Sequence, residues 1–287
     1  MNAITAGGTA KLGTFTVSRM GYGAMQLAGP NAFGSRDPAA SKAVLREAVA
    51  QGVNHIDTSD YYGPYLVNDL IREALSPYPA ELVLVTKIGA RRDATGRWLP
   101  SFGRAEMTGA VHDNLRRLGR EQLDVVNLRL MFSALGPAEG SLEEPLSILA
   151  ELQKQGLITH LGVSNVTPTQ VAQARSIAEI ICVQNAYNIA QRGDDILIDE
   201  LGAAGVAYVP FFPLGGYSPL QSAVLNVVAE ELHATPMQVA LAWLLQRAPN
   251  VLLIPGTSSV AHLQENLAAA ELVLPAEAVA KLNAIAG

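Results

Sequence analysis

Short apolar runs alternate along this chain with longer amphipathic stretches, and the alternation continues almost to its end. The runs fall at 53–57, 82–87, 123–130, 157–164, 180–184, 206–211 and 251–255, with Arg19–Met25 (RMGYGAM) reading as one more ahead of them. They are apolar nearly throughout, as strands of a parallel sheet covered on both faces are. Helical periodicity fills the intervals at 41–51, 66–75, 105–118, 143–155, 168–179 and 195–204, then 219–233 with 236–248, and 259–270. Gly52, Gly119, Gly156 and Gly205 stand where four of these helices must stop, and Pro168 stands near the start of another. Eight strands alternating with helices predict an α/β fold, a (β/α)8 TIM barrel, as a single domain over 1–287. A short β-hairpin over 9–17, turning at Gly13, precedes it, and an amphipathic stretch at 276–285 covers one end.

The polar residues gain meaning from this pattern. In such a barrel the active site lies at the C-terminal ends of the strands. Asp57, Tyr62, Lys87, Arg129, Ser164, Asn165, Gln184 and Phe211 all fall at or just after those ends. The loops 28–38, 90–104, 130–142 and 216–222 must shape the pocket, and Trp98 and Phe102 in the second of them read as a lid or as packing.

Composition narrows the class. The formal charge is −6 with acids and bases interspersed, so no basic stripe for nucleic acid is visible. The single cysteine, Cys182, excludes an intramolecular disulfide and a cysteine zinc cluster, and its apolar surroundings make it a buried, inert thiol. The histidines show no metal-ligand spacing, so no metal is expected. His55 shares a strand face with Asp57 and reads as a satisfied interior histidine; His112 and His160 read as surface or packing residues. No run approaches a membrane span, and MNAITAGGTAKLG lacks the apolar core of a leader. A cytoplasmic protein is expected, with no membrane partner. No heptad or long apolar face demands a protein partner, so a monomer is expected.

Asp57, Tyr62 and Lys87 suggest proton transfer through a tyrosine. A free phenol titrates near pH 10. A neighbouring ammonium lowers that value, and an aspartate would hold the ammonium in place and keep it charged. The same spacing also fits a structural ion pair between Asp57 and Lys87 with Tyr62 as its cap. Tyr62 is favoured over Tyr61 because Gly63 and Pro64 follow it in a tight turn.

The run IDTSDYYG (56–63) resembles the signature of the aldo-keto reductase family, and LVLVTK (82–87) matches that family's lysine strand. GLITHLGVSN (156–165), VQNAYN (183–188), FFPLGG (211–216) and IPGTSSVAHLQENL (254–267) resemble its later motifs, in the family's order. The resemblance implies a (β/α)8 barrel that reduces a small carbonyl substrate with NADPH. It assigns Asp57, Tyr62 and Lys87 as catalytic residues, with Tyr62 the proton donor. Arg129 occupies the position of the family's catalytic histidine. It keeps hydrogen-bond donors and adds a fixed charge. That charge suits a depressed Tyr62 pKa, an electron-rich substrate group such as a pyridine phenolate, or an ion pair with an acid such as Asp57.

For the cofactor the resemblance implies Ser164, Asn165 and Gln184 as the clamp on the nicotinamide amide and Phe211 as its stacking ring. Pro213, Leu214 and Gly215 form the strand-seven loop beside the pyrophosphate. Gly256, Thr257, Ser258 and His262 lie at the phosphate-binding start of the last barrel helix, and Glu265 and Asn266 on the adenosine side. Gly256 and His262 replace a lysine and an arginine that many relatives place at the 2′-phosphate. Within the family, GYGAMQLAGP (21–30), VTKIGARR (85–92), LDVVNLR (123–129), SNVTPTQVA (164–172) and YVPFFPLGG (208–216) look closest to bacterial pyridoxal reductases, which implies pyridoxal as substrate. The other readings are a non-enzymatic NADP(H)-binding redox sensor and a barrel hydrolase using Asp57 and Asp60.

Overall fold

The computed structural model describes residues 7–134, 136–216 and 220–285. The first residues of the N-terminal segment and the middle of the 216–222 loop lie outside them. The described chain opens on an antiparallel hairpin, β1 (Thr9–Leu12) and β2 (Phe15–Ser18), which turns through Gly13 at φ 62°. The parallel sheet begins with β3 (Tyr22–Gly23), β4 (His55–Asp57) and β5 (Val83–Ile88). A second antiparallel hairpin, β6 (Ala90–Arg92) and β7 (Trp98–Pro100), then leaves the sheet. Next, β8 (Leu123–Arg129), β9 (Ile158–Ser164), β10 (Ile180–Gln184) and β11 (Ala207–Tyr208) complete a seven-stranded array ordered β11-β10-β9-β8-β5-β4-β3.

Residues 250–253 close the ring. Leu253 bridges Met20 in parallel on one side, and Val251 bridges Tyr208 on the other. The backbone bonds are Gly21 N to Leu253 O at 2.8 Å and Leu252 N to Tyr208 O at 2.9 Å. The eighth strand expected at 251–255 is therefore present as bridges rather than a ladder, since Pro255 has no N–H to donate. Pro210 interrupts the strand expected at 206–211 in the same way, and Phe211 rejoins the sheet through Ala186. The first strand is also shorter than expected, because Ala24–Leu27 winds into a 3-10 turn.

The helices cover the outside. They are α1 (Pro38–Ala50), α2 (Leu66–Leu75), α3 (Arg104–Leu118), α4 (Glu143–Lys154) and α5 (Pro168–Ile177). Then come α6 (Asp195–Ala203), α7 (Ala223–Glu231), α8 (Pro236–Arg247), α9 (Val260–Ala268) and α10 (Ala276–Asn283). Their starts are encoded locally. Asp37 accepts from Ala39 N at 2.9 Å with Pro38 in the first turn, so α1 begins before the expected residue 41. Thr167 and Gln170 form a capping box on α5, as do Thr235 and Gln238 on α8. Gly119 ends α3 at φ 64°, a conformation that costs a glycine little.

Two apolar layers result. The larger lies between sheet and helices. The smaller fills the lower barrel with Val83, Val85, Val125, Ile181, Cys182, Ala207, Val209 and Leu252, and Leu12 and Val17 of the hairpin floor it. Each fully buried valine, leucine or isoleucine among them contributes about 1.5–3 kcal/mol. A Cβ on Gly162 would lie 2.1 Å from Asn127 Oδ1, so only glycine lets β9 pass this layer. No described helix is long and apolar enough to cross a membrane.

Candidate active site

The polar groups gather at the end of the barrel away from the hairpin. Asp57 ends β4 and Lys87 lies in the neighbouring β5. The two side chains form an ion pair, at 3% and 4% residue exposure. Lys87 Nζ also donates to the Thr58 carbonyl at 3.0 Å, and Gln184 Nε2 donates to the other Asp57 oxygen at 2.9 Å. Both carboxylate oxygens are thus engaged, as a buried charge requires. The ammonium lies 5.3 Å from the centroid of the Tyr62 ring. Tyr61 meets Tyr62 edge-on at 5.3 Å and Trp98 at 4.9 Å, and burial pushes its pKa well above the ordinary phenol value. That makes Tyr61 a poor acid.

A polar network backs this centre. Thr58 donates to Asn68 Oδ1 on α2 at 2.8 Å, and Asn68 donates to Asn114 Oδ1 on α3 at 2.9 Å. Thr86, next to Lys87, donates to the same oxygen at 2.7 Å. The neighbours of Asp57 and Lys87 are therefore tied to two helices. Asp60 is buried in the same loop, and desolvation raises its carboxyl to about 7.

A cavity of about 320 Å³ opens above the ion pair, within the range of small-molecule sites. It gathers Asp57, Tyr62, Lys87, Arg129, Asn165, Gln184, Phe211, Pro213, Leu214 and Gly256 from the sequence-derived set. Ser164 lies behind Arg129 and accepts from its Nη1 at 3.2 Å. The Arg129 guanidinium stacks on Phe211, 4.8 Å from its centroid, and makes no ion pair with Asp57.

The remaining residues lie beyond the cavity wall. Gly215 continues the strand-seven loop. Thr257 accepts from Tyr22 Oη through its carbonyl at 2.6 Å, and Ser258 precedes the α9 cap, Ser259. His262 is exposed in the first turn of α9, Asn266 is buried farther along, and Glu265 accepts from Thr235 Oγ1 at 2.6 Å.

The residues present fit a nicotinamide. Asn165 Oδ1 and Gln184 Oε1 are buried acceptors without a hydrogen-bond partner, on side chains that line the cavity. Their amide nitrogens are already committed, Asn165 Nδ2 to the Leu130 carbonyl at 2.9 Å and Gln184 Nε2 to Asp57. Such orphaned acceptors are costly unless a ligand donates to them. A carboxamide offers two N–H groups. Asn165 is held at φ 60°, a left-handed conformation that asparagine tolerates.

Three interior residues differ from or extend the sequence reading. His55 is interior, and desolvation lowers its pKa to about 4, opposed by a backbone hydrogen bond to Ser18. Cys182 is buried beside Asn127 Oδ1 at 3.2 Å, with its thiol pushed up to about 12 by burial. His160 packs edge-on against Phe15 and contacts Thr14. Asn68 and Asn114 of the backing network, and Gln26, Met131 and Gln191 of the wall, carry no sequence signal, since turns and helix faces bring them in.

A family model described as "Aldo/keto reductase family" matches residues 19–286. The chain belongs to the aldo/keto reductase family. It is 64% identical to a pyridoxine 4-dehydrogenase of Escherichia coli, over 96% of this chain and 98% of that protein. An uncharacterized oxidoreductase of Schizosaccharomyces pombe is 36% identical over 96% of this chain and 89% of that protein. Among solved structures, a thermostable aldo-keto reductase in complex with the inhibitor epalrestat superposes with TM-score 0.82 at 30% identity, covering 96% and 99% of the two chains. An aldo/keto reductase of Klebsiella pneumoniae solved with NADP and acetate superposes with TM-score 0.79 at 25% identity, covering 96% and 94%.

Proposed function

We propose that this chain is a cytoplasmic, monomeric reductase that converts pyridoxal to pyridoxine with NADPH. The observation that carries this reading is the buried Asp57–Lys87 pair beneath Tyr62, set in a cavity beside two orphaned amide acceptors. The likeness to the Escherichia coli pyridoxine 4-dehydrogenase supports the substrate, since that name describes the same conversion in reverse. The Klebsiella pneumoniae structures with NADP and NADPH support the cofactor. The buried lone cysteine fits a reducing compartment.

Bound NADPH supplies the hydride that adds to the carbonyl carbon. Tyr62 donates its phenolic proton to the carbonyl oxygen. Lys87 stabilises the phenolate that this leaves, and Asp57 keeps Lys87 charged and oriented. Asn165 and Gln184 would fix the carboxamide and so the ring face presented to substrate, with Ser164 behind Arg129 beside them. Phe211 supplies an aromatic surface for the nicotinamide. Thr257, Ser258 and His262 at the start of α9, with Gly256 before them, would receive the adenosine phosphates, while Pro213, Leu214 and Gly215 would border the pyrophosphate. Glu265 and Asn266 would lie on the adenosine side.

The test is absorbance at the NADPH band with purified protein and pyridoxal, with NADH run in parallel. Pyridoxal-dependent loss of NADPH that outpaces loss of NADH is the expected result. NADPH binding without turnover of any aldehyde would instead favour a cofactor sensor.

A further inference from the structure

Arg129 carries a charge that no carboxylate among the described residues neutralises at ion-pairing distance. Its contacts are the Ser164 hydroxyl at 3.2 Å and the face of Phe211 at 4.8 Å. Some other arginines are paired with acids, as Arg104 is with Glu151 and Arg247 with Asp199, and others donate to backbone carbonyls, as Arg19 does; among the described residues Arg129 does neither. The one acid lining the cavity, Asp57, gives its two oxygens to Lys87 and Gln184. The charged groups of the cavity are Asp57, Lys87 and Arg129, two cations against one anion. A neutral aldehyde leaves that excess positive charge uncompensated.

The strand register fixes the depth of the guanidinium. Arg129 pairs with Ser164, and Ser164 pairs with Gln184, so the three lie side by side across β8, β9 and β10. Gln184 in turn reaches Asp57. The sideways bond from Arg129 to Ser164 keeps the guanidinium at this level rather than extended toward the mouth. With Tyr62 as proton donor, it would therefore face atoms near the carbonyl rather than the far side of a ring. A guanidinium fork so placed suits an anionic oxygen, through charge-assisted hydrogen bonds of fixed geometry.

We propose that Arg129 makes the site selective for aromatic aldehydes that carry an ionised oxygen on the ring atom adjacent to the aldehyde-bearing carbon. Pyridoxal belongs to this class, and so does salicylaldehyde. The proposal rests on the reductase reading above and adds to it a residue and a substrate rule. Hydride and proton go where that reading sends them; the anionic oxygen is bound and does not react.

The experiment measures kcat/KM with NADPH for salicylaldehyde, 2-methoxybenzaldehyde, 4-hydroxybenzaldehyde and pyridoxal, in wild type, Arg129→Met and Arg129→Lys. In wild type the ratio of salicylaldehyde to 2-methoxybenzaldehyde rises with pH as the ortho phenol ionises, and 4-hydroxybenzaldehyde gains no such advantage. In Arg129→Met that ratio falls at least about tenfold, the scale of one lost charge-assisted hydrogen bond, and in Arg129→Lys it is partly kept. A ratio that is the same in wild type and Arg129→Met overturns the proposal while leaving the reductase reading intact. An unchanged ratio with weakened NADPH binding assigns Arg129 to the cofactor and also overturns it. Absence of turnover with every aldehyde, pyridoxal included, overturns both.

Discussion

The ammonium of Lys87 lies 5.3 Å from the centre of the Tyr62 ring, on a side chain that also grips Asp57. This places a positive charge beside the phenol proposed as proton donor. Tyr62→Phe keeps the ring and removes that proton. Turnover should fall by about 10²–10⁴, the range for general acid catalysis, with NADPH affinity near wild type. Retained turnover would remove Tyr62 from the acid role.

Lys87→Met leaves Asp57 as an uncompensated buried charge. Chemical denaturation should show a loss of about 3–5 kcal/mol. The double variant Asp57→Leu/Lys87→Met removes both charges and should recover much of that stability while remaining inactive. If the double variant is no more stable than Lys87→Met, the stranded charge is not what destabilises the single variant.

Asn165→Gly preserves a left-handed backbone and deletes the orphaned acceptor. Titration by fluorescence should give a Kd for NADPH raised about tenfold, the scale of one net hydrogen bond lost. Unaltered affinity would mean that the carboxamide is held elsewhere.

Asp60 gives a pH signature. The unfolded chain releases this carboxyl proton near pH 4, whereas the folded chain holds it until about pH 7. Across that window folding takes up a proton, so stability falls as pH rises, by roughly 4 kcal/mol in total. Asp60→Asn removes the titration. Its melting temperature relative to wild type should be higher at pH 8 than at pH 5. The depressed pKa of His55 acts in both proteins and cancels from the difference. An offset equal at both pH values would contradict a buried, proton-retaining Asp60.

Much of the centre was legible because barrel strands end in polar residues that a core would reject. Asp57, Lys87, Ser164 and Gln184 announce themselves in this way, and the register of β4, β5, β9 and β10 brings them together. Arg129 was visible as a departure, but its orientation was not, because its choice between Asp57 and Ser164 depends on which oxygens Lys87 and Gln184 already occupy. The hairpin that carries Trp98 was hidden: Ala90–Arg92 and Trp98–Pro100 are short, lack apolar alternation and pair only with each other. Proline shortened two strands that their hydropathy extends too far.

The β1–β2 hairpin has a consequence for turnover. Leu12 and Val17 seal the barrel floor with apolar side chains, and the layer above them is mostly aliphatic. In the proposed reaction, water that returns a proton to Tyr62 would then come from the rim side, where the polar groups of the cavity gather.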